Sequence, residues 1–344
     1  MRWTCALLAT AAMPVSLSAH HSLAQWDTNE LVELEGVIRE IVWRNPHSQM
    51  RFEVTNETGA PSNWELESGS ITELRLAGAS TDLISVGARV MIAGYLSKRG
   101  GDVMFARNML LPDGEEILLA VGSKPHWSDV SRSELLGTRL AGVDGGVEDV
   151  STIDLFRVWS TVAEDPEAFP MVKGQYPLTG EAESIRAQFD ASTNPFTAFD
   201  GCDPKGMPLI MSSPFPMEFV RANGDILLRI EEYDSERVIH MSQNTAASQP
   251  EYSLLGYSAG RWEGTALVVE TTHIESGWFD GAGAPQSRNL RLLERFELGE
   301  GGQRLDYTLT VTDPETFTEP FNLTRYWVWE PGAILEPWNC GAVR

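Results

Sequence analysis

The chain has 344 residues, enough for two ordinary domains that each bury a core. A hydrophobic share of 42% and a charged share of 22% are those of a globular protein, which excludes wholesale disorder. With 26 basic against 49 acidic residues the formal net charge is −23. Such a surface repels phosphate backbones and anionic headgroups and attracts cations, so nucleic acid is disfavoured as a partner.

Arg2 precedes an apolar run from Trp3 to Leu17, with the small residues Ser16, Ser18 and Ala19 at its end. This is the pattern of a signal peptide over 1–19, too short for a membrane span, and no later stretch has the length of a transmembrane segment. The expectation is an exported chain, periplasmic or secreted, whose mature part starts near His20. Cys5 leaves with the leader. Cys202 and Cys340 remain, and an oxidising compartment favours a disulfide between them over two buried free thiols.

The first module, residues 20–120, reads as strands. "LVELEGVIREIVW" mixes alternation with β-branched residues, and "QMRFEVTNE" places Met50, Phe52 and Val54 on one face. "NWELES" is a third strand, and "ITELRLAGA" has helical spacing that stops at Gly78. "VGARVMIAGYLSK" and "VMFARNMLLPDG" are two more strands, the last closed by Asp-Gly. Three strands, a short helix and two strands is the order of a five-stranded OB-like barrel, with Gly36 placed to allow a bend.

Residues 121–150, rich in Gly, Ser and Asp, read as a linker with the joint near residue 130. The second module, 151–344, opens on "STIDLFRVWS" and a short helix, "TGEAESIRAQFD", capped by Thr179 or Gly180. Six strand-like stretches follow, from "MEFVRANGDILLRIEEY" to "FNLTRYWVWEP", separated by turns such as Asn223-Gly224-Asp225 and Glu263-Gly264. This predicts an antiparallel meander, curled into an up-and-down lipocalin-like barrel or folded as a sandwich. The whole chain is therefore expected to be all-β.

"AHHS", "IVWRNPH" and "PDG" resemble an uncharacterised family of exported bacterial proteins, a domain of unknown function, over about residues 19–120. "GMPLIMSSPFPMEFV", "GRWEGTALVVETT" and "LLERFELG" resemble exported bacterial hypothetical proteins that carry "GMPRIM" and "GRWEGDTLVV", with Ala266 a departure before "LVV". The resemblance implies a bacterial source and export. It implies no reaction.

Adjacent imidazoles at His20 and His21 suggest metal chemistry. Cleavage after Ala19 gives His20 a free α-amine beside its ring nitrogen, as in a histidine brace. Cleavage after Ser18 gives Ala-His-His, a set that favours square-planar Cu(II) or Ni(II), with copper highest in affinity for nitrogen ligands. His47, in the "RNPH" turn, is a third candidate ligand at the same barrel end. The bland alternative is a frayed start and a surface turn. No spacing for structural zinc occurs.

"GYSAG", residues 256–260, matches the Gly-x-Ser-x-Gly elbow of α/β hydrolases, with Ser258 as nucleophile and His273 or His240 as base. No parallel α/β pattern surrounds it, and a turn at a barrel rim accounts better for the glycines. Trp159, Trp262, Trp278, Trp327 and Trp329 would line a cavity for a small apolar ligand or fill a core. Glu231-Glu232, alternating along a strand, would face opposite ways and so not form a glycosidase pair. Asn56 and Asn322 match the glycosylation pattern by chance in a bacterial chain. The reading favours a non-catalytic binding protein with a copper-type site at His20, His21 and His47. A serine hydrolase and an envelope interaction module are the alternatives.

Overall fold

The computed structural model describes residues 26–55, 59–76, 83–120, 123–128, 154–162, 175–189, 204–242 and 250–339. The signal-peptide span, His20, His21, Cys202 and Cys340 lie outside these residues, as do Asn56 and most of the linker.

The first barrel is built from β1 (Val32–Val42), β2 (Gln49–Thr55), β3 (Pro61–Glu67), β4 (Arg89–Leu96) and β5 (Val103–Leu110), with helix α1 (Ile71–Leu76) between β3 and β4. The strand order is β3-β2-β1-β4-β5, closed by a parallel β3–β5 pairing, and a short β6 (Glu116–Leu118) extends the β5 edge. This is the five-stranded OB-like order the sequence predicts. The bend expected at Gly36 falls two residues later, where a bulge shifts the β1–β2 register between Ile38 and Glu40. Gly36 serves close approach instead, because a Cβ there would lie 2.4 Å from the Glu53 carbonyl oxygen. Ile38, Phe52, Leu66, Ile92, Met104 and Ile117 fill the interior.

The second barrel comprises β7 (Val158–Ser160), β8 (Met217–Ala222), β9 (Asp225–Ile230), β10 (Ser235–His240), β11 (Tyr257–Glu263), β12 (Ala266–Thr272), β15 (Arg291–Leu298), β16 (Arg304–Thr312) and β17 (Phe321–Trp329). The loop after β12 carries a small ribbon of β13 (Gly277–Trp278) and β14 (Pro285–Gln286). Strands adjacent in the barrel follow one another in the chain, and β17 returns to β7. The up-and-down order thus matches the expectation, with one correction. A closed ring can alternate direction throughout only if its strand number is even, so nine strands leave one pair parallel. That pair is β10–β11, held by Ile239↔Ser258 and His240↔Ala259.

Local chemistry explains several boundaries. Asn223 and Gly224 take φ of 53° and 94° in the two-residue β8–β9 turn, the conformation such hairpins need. Thr179 caps helix α2 (Gly180–Ala187) by accepting from the Ala182 N–H at 3.3 Å. Trp159 and Trp327 are fully buried beside Phe219, Phe296 and Tyr307, so these two tryptophans belong to a filled core rather than a ligand cavity. Trp262 points out of it, 45% exposed.

Candidate functional site

The turn between β1 and β2 is held at the mouth of the first barrel by its backbone. The Ser48 N–H donates to the Gly69 carbonyl and the Ser68 N–H to the Ser48 carbonyl, each at 3.0 Å. Arg44 Nε donates to the His47 carbonyl at 3.2 Å. His47 is thereby fixed with its Nδ1 3.0 Å from the Ser68 carbonyl oxygen and 3.5 Å from Glu67 Oε1. Both neighbours are acceptors, so Nδ1 carries the hydrogen and the neutral ring keeps its lone pair on Nε2. Burial holds the His47 pKa below its ordinary value, with the Arg44 charge adding to the effect. A neutral imidazole whose other nitrogen is anchored to a carbonyl is the state in which histidine binds metal.

The same corner receives the start of the described chain. Trp26 bridges to Ser97 and the Asp27 N–H donates to the Leu96 carbonyl at 2.8 Å. The Trp26 ring lies 5.6 Å from that of Phe105, which in turn meets the His47 ring at 6.3 Å. Among the described residues no group of three His, Cys, Asp or Glu side chains is placed to hold a metal ion.

Ser258 sits elsewhere and in another kind of setting. "GYSAG" runs into β11 instead of forming either a strand-to-helix elbow or the expected rim turn; only Gly256, at φ 67°, turns. Gly260 is needed for packing, since a Cβ there would stand 2.5 Å from Ile239 Cγ2. The Ser258 hydroxyl is buried and accepts from Arg237 Nε at 2.8 Å. Arg237 also grips Glu294 with both terminal nitrogens, and Tyr307 donates to Glu294 at 3.0 Å. His273 Nδ1 lies 2.9 Å from Thr272 Oγ1, and His240 Nδ1 lies 3.1 Å from Asp225 Oδ2. Among the described residues Ser258 bonds with Arg237 and Thr271, and with neither imidazole.

A further constellation joins the barrels, and the sequence reading missed it. Glu231 does not lie on a strand opposite Glu232; it follows β9 at the start of a turn, and both are buried. Asn45 Nδ2 and the Thr72 hydroxyl donate to Glu231 Oε1 at 3.1 and 2.5 Å, and the Glu336 N–H donates to Oε2 at 2.8 Å. Arg75 on α1 meets Glu336 at 3.3 Å. Burial raises the Glu231 carboxyl to about 7 against these bonds. Glu67 is likewise raised to about 7 by burial.

The fold and these sites define a mostly β protein with a five-stranded and a nine-stranded barrel and buried polar clusters. A family of unknown function, DUF6152, matches residues 7–104, which include both predicted histidine positions and His47. No curated protein matches the chain.

Proposed function

We propose that the protein is an exported, non-catalytic binding protein whose amino-terminal His20 and His21 join His47 in holding a copper-type metal ion, with the second barrel as scaffold. One observation carries this reading: Trp26 packs on Phe105 and Phe105 on His47. His21 is five residues before Trp26, a reach of roughly 17 Å for extended chain. The ring state of His47 supports it, because burial favours the neutral imidazole, the form that ligates metal. The filled core of the second barrel supports a scaffold role.

The test is to isolate the exported protein, establish its first residue by amino-terminal sequencing, and titrate it with Cu(II) beside His47→Ala. Stoichiometric uptake that weakens on loss of His47 fits the proposal. Uptake indifferent to all three histidines removes it.

A further inference from the structure

The parallel β10–β11 joint is the shortest-paired seam between two long strands of the second barrel, and it opens outward into a groove. Its two paired positions, Ile239↔Ser258 and His240↔Ala259, lie at the C-terminal end of β10. Before them, Ser235 to Val238 run beside the segment 252–257, and a groove of about 690 Å³ lies between. That volume is in the range of small-molecule sites.

Three of the nine large hydrophobic side chains exposed among the described residues line this one groove: Val238 at 45%, Tyr252 at 41% and Leu254 at 40%. Tyr257, stacked on His240 at 4.8 Å, adds a flat wall, and Asp225 holds that imidazole in place. The charges are arranged unevenly. Both cations in the lining are already engaged by carboxylates, Lys205 by Glu232 at 2.5 Å and Arg237 by Glu294. Glu236 has only a distant partner, Arg229 at 3.6 Å, and Glu275 is exposed with no ion pair among the described residues. The charge left over within the lining is therefore negative, while Arg288, outside the lining, stands over the Tyr252 ring at 5.0 Å.

We infer that this groove binds a small organic cation with a flat apolar body, of the arylalkylamine class, its ring against Tyr252 and Tyr257 and its ammonium at Glu275. The site is independent of the proposed metal centre, which lies in the other barrel. The full exported protein is titrated calorimetrically with 2-phenylethylammonium, 2-phenylethanol and phenylacetate, which share one body and differ in charge. The amine binds tightest and the acid weakest. Glu275→Gln lowers amine affinity roughly three- to fivefold, as loss of one exposed ion pair does, and leaves the alcohol unchanged. Tyr252→Ala weakens amine and alcohol together, while His47→Ala changes neither. Both groove substitutions are at exposed positions, and circular dichroism verifies the fold. No uptake of the amine by folded protein, equal binding of the acid, or amine affinity unaltered in both groove variants overturns the inference.

Discussion

The Thr72 hydroxyl of the first barrel donates to Glu231 of the second across 2.5 Å, with neither residue more than 1% exposed. Asn45 and the Glu336 backbone complete the set, so one carboxyl gathers the first barrel and the C-terminal segment onto the second. Removing it takes the acceptor from the Thr72 hydroxyl and the Glu336 N–H and leaves Asn45 Nδ2 only the Glu336 carbonyl at 3.5 Å, and Glu231→Ala is expected to cost about 2–4 kcal/mol in urea unfolding. A loss under about 0.5 kcal/mol would show that these bonds do not hold the barrels together.

The same carboxyl sets a pH dependence. Its folded pKa, about 7, lies above the ordinary 4.5, so the folded protein binds the proton more tightly than the unfolded chain. Stability from this group is present below about pH 4.5 and declines as pH rises to about 7, and Glu67 acts in the same direction. Glu231→Gln should therefore flatten the fall in unfolding free energy between pH 5 and 7.5, by an amount of order 1–3 kcal/mol in urea unfolding. A slope identical to wild type would contradict the assignment.

Inside the second barrel, Arg237 and Glu294 form a buried pair that Tyr307, Thr271 and Ser258 surround. Breaking it leaves an uncompensated buried charge, so Glu294→Gln or Arg237→Met alone should cost about 3–5 kcal/mol. The double variant should recover much of that loss in thermal unfolding. Ser258→Ala should cost about 1 kcal/mol and leave any ester hydrolysis unchanged; abolished hydrolysis would instead make the serine a nucleophile.

Much of the architecture is legible in residue pattern alone. Alternation in "QMRFEV" and "LDYTLTV", Asn-Gly in the β8–β9 turn and the Thr179 cap each act over a few residues, and each appears where expected. Direction of pairing is not written in such patterns, so the parallel β10–β11 seam was invisible, and "GYSAG" read as a turn is largely strand. Glu231 escaped for a related reason: its partners Thr72 and Asn45 are 159 and 186 residues away in the chain. Burial of an acid by a distant module leaves no local mark beyond the Glu-Glu pair itself.

The sequence leads to the expectation of a disulfide between Cys202 and Cys340, both outside the described residues. Lys205 Nζ lies 6.0 Å from the centre of the Tyr233 ring, and the Trp338 ring lies 5.2 Å from it on centroids. Cys202 and Cys340 are three and two residues from these contacts. Mass spectrometry of unreduced peptides should find them joined, and reduction should destabilise the protein by about 2–5 kcal/mol. Two free thiols in exported protein would refute the pairing.

The most direct measurement of the central proposal is electron paramagnetic resonance of the exported protein carrying one equivalent of Cu(II). The account predicts a single type 2 copper signal with nitrogen hyperfine structure from the amino terminus and imidazoles, altered in His47→Ala. A spectrum of loosely bound copper, or one identical in wild type and His47→Ala, would contradict it.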